Sequence, residues 1–299
     1  MTTASFKTKA QLVVDCKNTL GEGCFWDPRD NCLWWTDIEA SCVWRADHRG
    51  DTTRFVLPGR AGFILPRSSD GFVIGFPNAI ALSNQDLTKF TKLHDVEPDV
   101  PQTRINDATV DPWGGIVFGT FDETPDMHER RPLGAVYRLG PDGVLDKLFG
   151  EVVISNGLAF SPAGETMYFA DTHDGQIRRF SVTENFANFQ EIEPLAELDA
   201  APGRPDGGTV DSEGNYWSAR VWGGCLVRFD QTGNVTAHIE LPTKGPTCVA
   251  LGGPSLDHLY ATTLRVRHDE VELSQTPEAG GVFLTQIDTS GFEQRLCAL

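Results

Sequence analysis

What the chain has little of narrows its function first. No apolar run approaches the roughly 20 residues that a membrane-spanning helix needs, and the N-terminal MTTASFKTKAQLVVD lacks the long apolar stretch of a signal peptide. Both point to a cytoplasmic protein without a membrane partner. Basic residues are scarce, with 25 Lys and Arg against 42 Asp and Glu and a formal charge of −17. A surface of that sign repels nucleic acid and anionic membranes, although the same excess also serves plain solubility. The seven cysteines (Cys16, Cys24, Cys32, Cys42, Cys225, Cys248 and Cys297) contain no C-x-x-C. A zinc finger or disulfide framework is therefore not expected, and reduced thiols, mostly in the core, are. There is no G-x-S-x-G elbow and no Cys–His pair to mark a covalent nucleophile. Long capped patterns of helical period are missing too, so helix content is expected to be small.

What is present is a set of short strand-like runs. NCLWWTD, GFVIGF, GIVFGT, TMYFAD, NYWSAR and HLYATT are rich in aromatic or β-branched residues and bounded by Gly, Pro, Asp or Asn. Their surroundings superimpose. GEGCFWDPRDNCLWW, NDATVDPWGGIVFG, NGLAFSPAGETMYFA and DGGTVDSEGNYWSA align without gaps for most of their length. Each places an acid or amide (Glu22, Asn106, Asn156, Asp206) five residues before an Asp or Ser (Asp27, Asp111, Ser161, Asp211). Two degenerate copies put Gly62 and Cys248 at the same place, and the six positions are separated by 40, 44, 50, 50 and 42 residues. Periods of that size with several strands per unit predict an all-β fold: a six-bladed β-propeller of four-stranded antiparallel blades around a central channel. A pair of β-sandwiches is the runner-up, but leaves the common register unexplained. No linker stands out, so residues 1–299 are read as one domain. QLVVD at one end and VFLTQI and EQRL at the other look like strands that share a closing blade. FDETPDMHERRP (121–132) is the best candidate for a loop over the channel mouth.

In a propeller the first strand of each blade lines the channel, so equivalent residues of different blades meet at the axis. The repeat thus gathers Glu22, Asn106, Asn156 and Asp206 around one point. Taken singly, Glu22 is an ordinary strand-start acid, Asn156 and Asp206 are ordinary turn residues, and Arg104 is an ordinary surface charge. Turn duty does not require polar side chains at one repeat position in four blades, and the shared register favours a site. Two carboxylates and two amides repel or desolvate badly without a cation, and an all-oxygen set suits Ca, Mg, Mn or Zn better than a soft metal.

These segments carry a family resemblance. LGEG at 20–23, RINDATVDPWGGIVFGT at 104–120, ISNGLAFSP at 154–162, PDGGTVDSEGNYW at 205–217 and PEAGGVF at 277–283 resemble the senescence marker protein/gluconolactonase family. The likeness spans nearly the whole chain, and the family includes regucalcin and bacterial sugar lactonases. It implies the same six-bladed propeller and a divalent-metal-dependent hydrolase that opens a sugar lactone to the aldonic acid, in a bacterial-type sugar oxidation pathway. Position by position it implies Glu22, Asn156 and Asp206 as ligands of one divalent ion (Ca, Zn, Mn or Mg). It also implies Asp206 as general base and Arg104, Asn106 and Glu123 as substrate-binding residues. The lid departs from regucalcin-like members, with Thr124 where they carry another acid, and TTLRVRHDE departs again at 262–270. His128 and Arg130 are candidates to cap substrate from the lid, and His173 and Trp222 to reach the mouth. If Arg60, Arg204, Arg220 and Arg265 face the mouth, they suit a sulfonated or phosphorylated sugar lactone. The alternative from another class is a non-catalytic propeller that binds a metal or small ligand. A monomer or small homo-oligomer acting on a small molecule fits either reading.

Overall fold

Six sheets of antiparallel strands follow one another along the chain in a computed structural model that describes residues 6–299. Their inner strands are Gly21–Asp27, Phe63–Pro66, Thr103–Val110, Ser155–Phe160, Arg204–Val210 and Pro246–Gly252, taken here as the starts of blades 1 to 6. Each inner strand packs against the inner strands of the two neighbouring blades, so the six close into the ring of a β-propeller. In blades 1 to 5 the next three strands meander outwards in chain order.

Blade 6 closes the ring with both ends of the chain. Pro246–Gly252, His258–Thr263 and Val282–Gln286 are completed by Gln11–Val14, with Gln11 opposite Leu284 and Leu12 opposite Phe283. QLVVD and VFLTQI thus do share a blade. EQRL does not form a strand: only Cys297 makes an isolated bridge, to Arg67. The tail instead crosses the ends of the inner strands away from Glu22. Ser290 accepts from Ser212 N (2.8 Å), Arg295 donates to Pro162 O (2.9 Å), Ala298 N donates to Gly114 O (2.7 Å), and Cys297 N donates to Pro66 O (2.8 Å). These four contacts tie blades 5, 4, 3 and 2 together. One further strand, Phe6–Lys9, lies parallel to Val235–Glu240 on the outside of blade 5.

The core explains the aromatic strands. It is divided into layers, one between each pair of neighbouring blades. Trp217 and Leu226 of blade 5 pack with Val249 and Phe283 of blade 6. Phe160 and Phe169 of blade 4 pack with Val117 and Val136 of blade 3. Trp26 and Trp35 of blade 1 pack with Tyr260 and Val282 of blade 6. Burying such side chains contributes about 1.5–3 kcal/mol each, so every blade depends on its two neighbours. Six of the seven cysteines are buried, and all seven are free thiols. The described residues contain one α-helix, the six-residue Glu270–Gln275, and no helix long and apolar enough to cross a membrane.

The inner strands share one irregularity. The pairing register with the second strand shifts between Glu22 and Phe25, Ile105 and Ala108, Asn156 and Ala159, Pro205 and Gly208, and Pro246 and Val249. Such bulges re-aim a side chain out of the pleat, and here each falls at the repeat position, which carries the acid or amide in blades 1, 3, 4 and 5 and Cys248 in blade 6. Gly23 and Gly157 follow Glu22 and Asn156 with φ of +54° and +64°, a region that only glycine enters without strain. The inner strand of blade 2 pairs with its second strand without a shift.

Candidate active site

Glu22, Arg104, Asn106, Asn156 and Asp206 line one cavity of about 110 Å³ at the start of the inner strands. The repeat register therefore becomes a place. Second-strand acids hold the entrance in shape: Asp37 accepts from Thr19 N and Leu20 N (2.9 and 3.0 Å), and Asp171 accepts from Val153 N and Ile154 N (2.8 and 3.0 Å). Each pins the chain just ahead of an inner strand. The acids five residues after the register serve the other end. Asp111 and Asp211 cap their hairpin turns through backbone N–H groups of Gly115 and Asn215.

A chain of hydrogen bonds runs round the cavity through three blades. Arg104 Nη1 donates to Asn106 Oδ1 (2.8 Å) and to Ile105 O (2.9 Å). Asn106 Nδ2 donates to Asn156 Oδ1 and to Ser155 O (2.9 Å each). Asn156 Nδ2 donates to Thr172 Oγ1 (2.8 Å), and that hydroxyl donates to Pro205 O (2.8 Å), one residue before Asp206. An arginine offers only donors, so the oxygen of Asn106 must face it and its nitrogen must face Asn156. The order then fixes Asn156 with its oxygen towards Asn106. Arg104 itself is buried, lies 4.4 Å from the Phe121 ring centre, and pairs with Glu123 Oε1 (3.2 Å).

Glu22 and Asp206 have no such support. Asp206 is buried, and its Oδ1 accepts no hydrogen bond. The one hydrogen bond to the Glu22 side chain is a long one, 3.3 Å from Gly23 N. Burial pushes both carboxyl groups well above the usual range, and acidic neighbours push further: Asp206 and Asp107 on Glu22, and Asp107 on Asp206. Asp107 is itself raised to about 6 by burial, against backbone N–H groups of Leu158, Ala108 and Gly157. Neither Glu22 nor Asp206 has a Lys or Arg ion-pair partner among the described residues. Among them, too, no three His, Cys, Asp or Glu side chains gather into a metal-holding group. The donor set is two carboxylates and an amide oxygen, all hard oxygen donors of the kind a divalent cation takes. The orphaned Asp206 Oδ1 and the uncompensated acids fit such an ion.

Glu123 sits behind Arg104 rather than among the cavity-lining residues, bonded to Arg60 Nη2 at 2.9 Å as well. The lid expected over 121–132 does cover the mouth: Phe121, Met127 and Arg130 line the cavity, while His128 is exposed outside it. Trp222 lines it as well, at φ +64°, and His173 does not. None of the four arginines weighed as possible mouth residues lines the cavity. Arg60 pairs with Glu123, Arg204 donates to His173 O, Arg220 is buried against the carbonyls of Ala201, Pro202 and Gly203, and Arg265 donates to Ala279 O. Strand ends of a propeller point to rim, core and neighbouring loop alike, and sequence position does not choose among them.

Three residues of the site escaped the sequence reading. Thr172 has no signal beyond its place at the end of a second strand. Arg267 lies in the run that departs from the family. Asp107 did leave a trace: blades 1, 4 and 5 carry glycine after the register position (Gly23, Gly157, Gly207), and blade 3 alone carries an acid there.

This geometry defines a class, a six-bladed propeller with a buried acid–amide cluster at one channel mouth. The chain belongs to the SMP-30/Gluconolactonase/LRE-like family, which it matches over residues 20–265, and the resemblance carried by its motifs is borne out. It is 37% identical to the L-arabinolactonase of Azospirillum brasilense over 288 residues, covering 95% of this chain and 93% of that protein. It is 34% identical to the 6-deoxy-6-sulfogluconolactonase of Pseudomonas putida over 291 residues, covering 96% and 98%. Among solved structures, a calcium-binding regucalcin from Agrobacterium tumefaciens superimposes with a TM-score of 0.91 at 27% identity, over 98% of this chain and 99% of that one.

Proposed function

We propose that the protein is a divalent-cation-dependent hydrolase that opens a sugar lactone to its aldonic acid. Enzyme class follows from its relatives: they are named as lactonases, which are carboxylic-ester hydrolases, and the likeness runs the length of the chain. The observation that carries the mechanistic reading is the unpartnered Asp206 Oδ1 among buried, uncompensated acids. Glu22, Asn156 and Asp206 would hold the ion, a reading supported by the Agrobacterium neighbour, which is named as a calcium-binding protein. An ion held by these residues would supply Lewis-acid polarisation of the lactone carbonyl and a lowered pKa for water.

The side chains supply the rest. A lactone is an activated ester, so no covalent nucleophile is needed. The Asp206 carboxylate oxygen not turned to the ion accepts the proton of the attacking water as the water oxygen adds to the carbonyl carbon. The ring C–O bond then breaks, and the ring oxygen leaves as a hydroxyl by taking the proton held on Asp206, which returns that side chain to its carboxylate. Arg104 and Asn106 act by position: Arg104 fixes the Asn106 amide, which fixes Asn156, and the second lone pair of Asn106 Oδ1 is left for a sugar hydroxyl. Trp222 and Phe121 offer apolar walls to the sugar ring, and the 121–132 lid limits water at the mouth.

The test is acid release from a panel of aldonolactones, after chelation and re-addition of single divalent ions, with spontaneous opening subtracted. Cation-dependent opening of at least one sugar lactone is expected. No cation-dependent rate on any of them would favour a binding propeller without catalysis.

A further inference from the structure

We propose that Arg130 and Arg267 form a subsite for an oxyanion carried by the substrate on the carbon farthest from the lactone carbonyl. The inference rests on the lactonase reading for the sugar skeleton and deepens it with a substrate class, lactones bearing a second, anionic group.

Arg130 arrives from the lid and Arg267 from the turn after the second strand of blade 6, and both line the cavity of Glu22 and Asp206. Neither has a carboxylate partner among the described residues. Arg130 donates from Nε to Thr124 O (2.9 Å) and lies 4.8 Å from the Phe121 ring centre, which leaves its terminal nitrogens unspent. Arg267 makes one side-chain contact, Nη1 to Met127 Sδ at 3.9 Å, and thioether sulfur is a weak acceptor. Arg104, the third guanidinium of the cavity, already has a carboxylate partner in Glu123 and gives its Nη1 to Asn106 and Ile105.

Arg130 and Arg267 thus bring two guanidiniums without a carboxylate partner to one cavity. Burial, and then the like charges of Arg267 and Arg104, push Arg130 down to about 10. An anion between the two guanidiniums relieves that repulsion and takes the unspent donors. Arg267 also holds φ +70° and Trp222 φ +64°, so the rim keeps two non-glycine residues in a sparsely populated backbone region. The cavity is polar along its depth. Its buried end carries acids and rejects an anion, and its rim carries the arginines. A substrate with its carbonyl at the acids and its oxyanion at the rim fits both ends in one orientation.

The experiment compares kcat/KM for gluconolactone with that for 6-phosphogluconolactone, 6-deoxy-6-sulfogluconolactone and glucarolactone, in the wild-type protein and in the R130Q/R267Q double variant. At least one anionic lactone should exceed gluconolactone by 10- to 100-fold, on the scale of one or two charge-assisted hydrogen bonds. The double variant should bring that ratio close to one, mainly through KM. The three anionic arms tell phosphate, sulfonate and carboxylate apart. Ratios at or below one for all three, or a preference that survives in the double variant, overturn the subsite. If no lactone is opened at all, the lactonase reading fails separately. Calorimetry with 6-phosphogluconate and gluconate then decides: tighter binding of the phosphorylated acid by tenfold or more, lost in R130Q/R267Q, keeps the subsite, and equal binding removes it.

Discussion

Asn156 is a side chain aimed by its neighbours. Thr172 takes its nitrogen, Asn106 reaches its oxygen, and Arg104 decides which way Asn106 faces. Removing Arg104 loosens the first link while leaving Glu22 and Asp206 in place. Arg104→Ala is therefore expected to raise KM for the lactone more than it lowers kcat, as steady-state kinetics would show. Arg104→Lys should not restore it, because a lysine cannot span Asn106, the Ile105 carbonyl and Glu123 with one flat fork. Kinetics indistinguishable from wild type in Arg104→Ala would make Arg104 a structural residue. At this scale the polar register was legible because its members share one repeat position. Thr172 was not, because a threonine after a buried strand looks like any other. Arg130 and His128 stand two residues apart in the same lid, and only the turn at Met127–Glu129 decides that the arginine faces in and the histidine out.

At the scale of the strand, a polar register residue reaches the channel where its inner strand carries a bulge. Blade 2 shows the converse. An ideal Cβ on Gly62 would stand 2.5 Å from Asn106 O and 2.7 Å from Ile105 O, backbone atoms of the next blade. The two strands approach too closely for any side chain, so blade 2 cannot contribute a ligand. Gly62→Ala is expected to cost about 1–3 kcal/mol, the usual range for overpacking, seen as a lower denaturant midpoint. It should also depress lactone turnover by displacing Asn106. A midpoint unchanged from wild type would mean that the blades can part there. The sequence showed Gly62 as a degenerate copy of the register but not the reason, since close approach of two backbones leaves no trace in either strand alone. The EQRL error has a similar origin. A short run near the end of the chain reads as a strand, while the tail around it bonds to several blades in turn rather than to one neighbouring strand.

On the scale of the molecule, the ring brings Glu22 and Asp206, 184 residues apart in the chain, to one cavity. Its period, common register and two-ended closure were all readable, because each blade must repeat the same contacts with its neighbours. Six interblade layers carry the core, so the uncompensated acids at the axis are a local burden on an otherwise apolar assembly. A cation that binds the folded ring and not the unfolded chain adds about 2.7 kcal/mol at 100 times its Kd. Saturating divalent ion should thus raise the Tm of chelated protein by several degrees, on the order of 2–4 °C per kcal/mol for a chain near this size. Asp206→Asn should lose most of that shift in a thermal scan. An equal shift in both proteins would place the stabilising ion elsewhere.

The most direct measurement of the central claim is lactone turnover as single divalent ions are returned to chelated protein, with Glu22→Gln, Asn156→Ala and Asp206→Asn run beside the wild type. Turnover in the wild type should rise from the spontaneous rate as the ion is added. Each variant, folded by circular dichroism, should stay roughly 100-fold or more below it, the scale of losing a main electrostatic stabiliser. Full turnover by the chelated wild type, or near-normal turnover in all three variants, would contradict the account.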